Sequence, residues 1–182
     1  MSKTSNANIN AAADSAAAPA AAVVPEILTS MTPDQVSDAI KGIGCAVTAF
    51  EQEGVTRLHS AAHGVGFQVL WGNALAAGLY ADFTLSCPLR VQGGVLPEGL
   101  LGEWYRTKRF ARVAQHGDFV VLEMDVIVAG GVNPAHIQLS LQLWTQMMGQ
   151  FFLFLRSYTA NAAAAAVDAG AEAKVEAVAD AV

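Results

Sequence analysis

Between Arg109 and Val128 the residues alternate on both sides of Gly117-Asp118, and this stretch limits the possible folds more than any other. Glycine at the first central position suits a two-residue type II′ turn, so the two runs are expected to pair as an antiparallel hairpin. The register then places His116 opposite Phe119, Val113 opposite Leu122 and Arg112 opposite Glu123. Side chains alternate across a strand. Val120, Leu122, Met124, Val126 and Val128 therefore share one face, and Glu123 and Asp125 take the other. One face belongs to a core and the other to water.

The segment after the hairpin must supply the cover. Gly130-Gly131 ends the strand, and Asn133-Pro134 is an N-cap with proline in the first helical position. The spacing predicts a helix from Asn133 to Ser157. Ile137, Leu141, Trp144, Met148, Phe151 and Leu155 form one stripe, with Leu139, Leu143, Met147 and Phe154 in a second stripe beside it. Docking on one sheet uses a face roughly 100° wide, so the second stripe is expected to meet a further surface. A homodimer or a protein client fits, with other helices of the same chain as the rival cover. No charge falls between Asp125 and Arg156, and residues 135–155 are long enough to span a bilayer. Gln138, Gln142, Gln146, Gln150, His136, Ser140 and Thr145 argue against that, and no membrane contact is expected.

Upstream, Thr32-Pro33-Asp34-Gln35 reads as an N-cap and first turn of a helix ending near Gly42. Strands are expected at Cys45 to Phe50, Val55 to Ala62 and Val65 to Trp71, with a turn at His63-Gly64. A loop over Asn73 to Gly78 leads to a fourth strand from Leu79 to about Cys87, which Pro88 and Gly93-Gly94 break. Pro97 opens a short helix from Glu98 to Lys108. The expected class is α+β: an antiparallel sheet with helices packed on one face, in the order α-β-β-β-β-α-β-β-α.

Composition sets the domain limits. Residues 1–30 hold ten alanines, and Pro19 and Pro25 interrupt any helix there. Alanine methyls do not offset the entropy of ordering a chain, so this segment is expected to be a disordered tail. Residues 159–182 hold twelve alanines, with Asp168, Glu172, Glu176 and Asp180 spaced every four residues. Like charges at that spacing weaken a helix that alanine favours, which predicts a fraying acidic tail. The domain is therefore expected to run from 31 to 158.

The formal charge of −6 disfavours nucleic acid, whose phosphates require a basic surface. Cys45 and Cys87 are too few for a disulfide framework, which suits a reducing cytoplasm. No secretory leader is evident. His59 and His63 have a metal pair's four-residue spacing, but along a strand that puts them about 13 Å apart. Glu123 and Asp125 could mimic paired acid–base carboxylates, yet Arg112 opposite them makes a surface ion pair the simpler reading. The glycine pairs lack the residues of a phosphate loop. No catalytic residue, metal or cofactor is expected. One cluster stands out: Arg106, Lys108, Arg109 and Arg112, where the short helix meets the hairpin, read first as a solvated face and next as a contact for a protein or acidic ligand, with nucleic acid last.

Residues 101–110, Leu101-Gly102-Glu103-Trp104-Tyr105-Arg106-Thr107-Lys108-Arg109-Phe110, resemble a signature of the YbjN domain family. Its usual form is Asn-x-Trp-Asn, a basic residue, then Arg-Phe. The resemblance continues through Val121 to Asp125, through Ala129-Gly130-Gly131-Val132, and into the last helix at Trp144 and Phe151. Trp104, Arg109 and Phe110 match, whereas Gly102 and Tyr105 replace the two asparagines. The family is labelled as bacterial sensory transduction regulators and is similar in fold to class I type III secretion chaperones, commonly dimeric. The resemblance implies a cytoplasmic regulator or chaperone-like adaptor acting through protein contacts, without catalysis. Structural roles are expected for Trp104, Arg109, Phe110, Gly130 and Gly131. Arg106, Lys108, Arg112, Glu123 and Asp125 are candidate partner or ligand contacts. The alternative is a small-ligand sensor that binds an acidic molecule near Arg106, Arg109 and Arg112.

Overall fold

A computed structural model describes residues 26–179, with side chains through Tyr158 and at Ala160. Helix α1 (Pro33–Gly42) begins at Thr32, whose hydroxyl accepts from the Gln35 amide while the Gln35 side chain accepts from the Thr32 amide. This reciprocal pair is a capping box, and it satisfies two amides that the helix itself leaves without partners. Strands β1 (Val47–Gln52), β2 (Val55–Ala62) and β3 (Val65–Trp71) form a meander. Both central residues of each connecting turn have positive φ, 53° and 74° at Glu53-Gly54 and 53° and 75° at His63-Gly64. Those values define type I′ turns, whose twist matches that of the strands they join.

The chain then makes an excursion where the sequence predicts a plain loop. Strands β4 (Ala74–Ala76) and β5 (Leu79–Tyr80) pair with each other, so Leu79 and Tyr80 are not part of the fourth long strand. That strand, β6, is Asp82–Arg90 and runs straight through Pro88. The Val91 amide bonds to Asp118 on the β8 side. By strand alternation the nitrogen of Pro88 faces β3 instead. Pairing of β6 with β3 stops at Ser86, so the missing N–H costs no ladder bond.

Helix α2 (Leu100–Thr107) starts two residues later than expected, after Gly99 rather than at Pro97. The hairpin of β7 (Arg112–His116) and β8 (Phe119–Ile127) has the expected register, with His116 paired to Phe119, Val113 to Leu122 and Arg112 to Glu123. Gly117 has φ 55°, and Asp118 is not in the left-handed region, as a type II′ turn requires. Helix α3 (Pro134–Ala179) passes the expected end at Ser157 without a break. Six strands form one antiparallel sheet in the order β1-β2-β3-β6-β8-β7. The fold is therefore α+β in the expected order, with β4 and β5 as a small addition.

The core lies between one sheet face and α1 and α3. Leu58, Phe67, Val69, Phe83, Leu85, Val113, Leu122, Val126 and Val128 face Ile40, Ile137, Leu141, Trp144, Met148 and Phe151, all almost fully buried. At ~25 cal/mol per Å² each such side chain contributes roughly 1.5–3 kcal/mol, which makes this layer the main source of stability. Among the described residues no helix is long and apolar enough to cross a membrane.

One boundary moves. Leu28 sits inside the segment expected to be tail, yet it exchanges two backbone hydrogen bonds with Val132, at 2.7 and 2.8 Å. Met31 does the same with Tyr80, so packing starts before residue 30. The disorder expected for residues 1–25 lies outside the described residues, as do the side chains of the acidic tail from 161 onward. The second stripe of α3 is divided as well. Met147 is 5% exposed and belongs to the core of a single chain, which corrects its assignment to an interface. Phe154 packs edge-on to Trp104 at 5.4 Å, and Leu143 is half-buried. Helix α2 fills the gap there. Leu139 alone stays open, at 63%.

Candidate functional site

The signature segment forms the corner where α2 meets the hairpin. Trp104 is fully buried, and its indole N–H donates to the Ala111 carbonyl at 2.9 Å. Its ring meets Phe151 edge-on at 5.1 Å. Tyr105, on the exposed side of α2, donates its hydroxyl to the Val113 carbonyl and accepts from the Val113 amide. The side chain that replaces a family asparagine thus ties α2 to β7 through its hydroxyl. Gly130 and Gly131, with φ 89° and 98°, turn the chain from β8 towards α3. Gly131 also sits against Ile27.

Arg109 and Phe110 behave differently from Trp104. Phe110 is 61% exposed and its backbone is left-handed, with φ 72°. A bulky residue in that conformation is an outlier, at a cost of about 1–3 kcal/mol. The Arg109 guanidinium carbon lies 4.8 Å from the centre of the Phe110 ring. Both side chains project from the corner and neither enters the core, so the structural role expected for them falls to Trp104.

The basic cluster separates into occupied and free members. Arg106 pairs with Glu103 one helical turn back. Arg112 bonds Glu123 at 3.0 Å and also pairs with Asp125, whose other oxygen accepts from Thr84 at 2.6 Å. Partial burial alone would raise the Asp125 pKa. The hydrogen bonds from Arg112 and Thr84, with the charge of Arg112, outweigh burial and hold the carboxyl below the usual carboxylate range. The hydrogen bond to Asp125, with the charges of Asp125 and Glu123, pushes the Arg112 guanidinium higher still. Glu123 and Asp125 are thus tied to one arginine. Among the described residues Lys108 and Arg109 have no ion pair, and no group of three His, Cys, Asp or Glu side chains could hold a metal.

Beside this corner the sheet has an open edge. Strand β7 pairs with β8 only from His116↔Phe119 to Arg112↔Glu123. The left-handed turn at Phe110 carries the chain away before it can pair with Asp125. The Val128 amide bonds to Ala81, so the even residues of β8 point their backbone groups at β6. Asp125 and Ile127 therefore point theirs outward, with no hydrogen-bond partner among the described residues. Between this edge and α3 lies a cavity of about 390 Å³, lined by Phe110, Val126, Ile127, Val132, His136 and Leu143, among others. Nothing in the sequence marks Ile127, because the open edge depends on where β7 stops.

The family model YbjN, described as "Putative bacterial sensory transduction regulator", matches residues 32–157. The chain belongs to this family. The YbjN match begins at the N-cap of α1 and ends in α3 at the level of α2, so it takes in the whole sheet and its helical cover. Its regulator description agrees with the resemblance carried by Trp104, Arg109 and Phe110. No curated protein matches this YbjN chain.

Proposed function

We propose that this YbjN protein is a non-enzymatic regulatory adaptor of the bacterial cytoplasm that works through protein contacts at the α2–β7 corner. One observation carries the reading. Phe110 and Ile127, 61% and 63% exposed, flank an apolar cavity, and Arg109, stacked on Phe110, has no acidic partner among the described residues. An exposed aromatic with an arginine stacked on it is a common anchor at protein interfaces. Strain at Phe110 adds support, since strained residues persist where function uses them. The free thiols of Cys45 and Cys87 fit a reducing compartment. The proposed likeness to class I type III secretion chaperones, helices on one face of an antiparallel sheet, supports an adaptor role by analogy only.

The alternative, a sensor for an acidic small molecule, would use Arg106, Arg109 and Arg112. Two of those three already hold carboxylates. The test is affinity capture from the native bacterium with the wild type, Arg109→Glu and Phe110→Ser, identifying proteins and small molecules by mass spectrometry. The expected result is a reproducible protein partner that both variants lose while keeping the wild-type circular dichroism spectrum. A co-purifying metabolite without any protein would overturn the adaptor reading in favour of the sensor.

A further inference from the structure

The sheet face turned away from α1 and α3 has a notch where two central strands part. Strand β3 pairs with β6 only as far as Gln68↔Ser86. The Gly72 amide bonds to Asp82, so the even residues of β3 point their backbone groups at β6. Gly66 therefore points its carbonyl towards Pro88, which has no N–H to give. At this gap lies a cavity of about 220 Å³, lined by His59, Ser60, Gly66, Phe67, Gln68 and Pro88. It opens away from the helices, because His59, Gln68 and Pro88 alternate onto the face opposite Leu58, Val69 and Leu85. We propose that this cavity binds a neutral primary carboxamide.

The lining selects that chemistry. It includes no Asp, Glu, Lys or Arg, so a charged group would give up water without meeting a fixed counter-charge. Its polar groups, in contrast, lack partners. Among the described residues the Gln68 carboxamide and the His59 ring form no hydrogen bond, and the Gly66 carbonyl has no partner in the β3–β6 ladder. The Phe50 ring meets the imidazole edge-on at 5.0 Å and holds it in place. Gln68 both donates and accepts, the Gly66 carbonyl accepts, and the His59 ring does either according to its tautomer. The matching ligand must donate twice and accept once from a single plane. A primary carboxamide does so: one N–H donates to Gly66, while the other N–H and the oxygen pair head to tail with Gln68. A hydroxyl has one proton to give and leaves one of these groups unanswered. Ligand pockets usually hold roughly 300–1,000 Å³, so this smaller cavity takes a head group and leaves the rest of the molecule on the open sheet face. The carboxamide belongs either to a free metabolite or to an Asn or Gln side chain of a protein. This inference goes beyond the adaptor reading, because β6 and β8 stand between the cavity and the α2–β7 corner.

Titration of the isotope-labelled full chain with acetamide, followed by NMR, tests it. Saturable shifts are expected at the Gly66 and Phe67 amides and at the Gln68 side-chain amide. Acetamide should bind at least tenfold tighter than acetate, methylammonium or isopropanol. A Cβ at position 66 would meet only the Ser60 carbonyl, at 3.8 Å, so Gly66→Val suits the strand and fills the cavity. Gln68→Met keeps the volume and removes the amide. Each should weaken acetamide binding at least tenfold with an unchanged far-ultraviolet spectrum. The absence of saturable shifts at those positions overturns the proposal. So does acetate or isopropanol binding as tightly as acetamide, or acetamide binding that neither variant weakens. If both variants misfold, the wild-type shifts and the ranking of the four probes still decide. Free L-glutamine and a capped peptide with a central glutamine separate the sources. Tighter binding of the first indicates a metabolite and of the second a protein side chain, and either supports the carboxamide site. A protein partner captured through Phe110, with no response to acetamide, would sink this site and leave the adaptor reading intact.

Discussion

The indole N–H of Trp104 donates to the carbonyl of Ala111 across the turn that joins α2 to β7, at 2.9 Å. Both groups are shielded from water, so the bond holds the corner from which Arg109 and Phe110 project. Trp104→Ala should cost ~3–5 kcal/mol by opening a cavity against Phe151 and Phe154, enough to unfold a domain of ordinary stability. Trp104→Phe keeps most of the ring burial and leaves the Ala111 carbonyl without a donor, at about 1–3 kcal/mol. Urea unfolding of the two variants checks the ordering. Equal midpoints for Trp104→Phe and the wild type would show that the hydrogen bond contributes nothing.

Cys87 lies in the core on β6, and burial pushes its thiol up to about 11. The thiolate is the reactive form, so at pH 8 a disulfide reagent should modify Cys45, which is half-buried, well before Cys87. One fast thiol is expected in the folded protein and two in denaturant. A thiol raised in the folded state stabilises it fully below the unfolded value, and that contribution is lost as pH rises from about 9 towards about 11. Rapid labelling of Cys87 in the native protein would place it outside the core.

The Arg112–Asp125 pair gives an acid-side prediction. The Asp125 pKa is lowered in the folded state, so its contribution is present above the unfolded value, near 3.9, and disappears as pH falls through the folded value. Asp125 is 51% exposed, and solvent screening keeps the pair within ~0–1 kcal/mol. Asp125→Asn should therefore lower the urea midpoint slightly at pH 7 and not at all near pH 2. A loss of the same size at both pH values would mean that ionisation of Asp125 is irrelevant to stability.

Gly72 lies just after β3, where the Asp82 carboxylate accepts from the amide and side chain of Asn73 to anchor the β4–β5 excursion. A Cβ at position 72 would overlap an Asp82 carboxylate oxygen. Gly72→Ala must displace that carboxylate, and roughly 1–3 kcal/mol of destabilisation is expected from the overpacking. Calorimetry would report it as a lower Tm. Gly72→Ala in an Asp82→Ala background should cost much less, because the clashing group is gone.

Most of the fold was legible in the local pattern. Strict alternation around Gly117-Asp118 determined the register of β7 on β8, since a slip of one residue would have sent Val120, Leu122 and Met124 into water. The capping residues at Thr32 and the wide apolar face of α3 were equally plain, because caps and periodicity act within a few residues. The corner was legible only in part. Trp104 was readable as core, but the exposure of Arg109 and Phe110 was not, since sequence reveals the presence of an aromatic and not the face it is given.

The sequence alone therefore determined local matters: hairpin register, helix starts and the inward set of side chains, each written in neighbouring residues by sterics and hydrophobic period. The tertiary structure alone decided the long-range matters. Met147 is buried because α3 settles into the core at one particular rotation, which no single helix reports. Pro88 continues β6 because β3 has already diverged from it. Among the described residues Asp125 and Ile127 are left unpaired because Phe110 turns β7 aside just before the two strands would have met again. A backbone group's partner is supplied by another part of the chain, so a strand's own residues do not show whether that partner will be there.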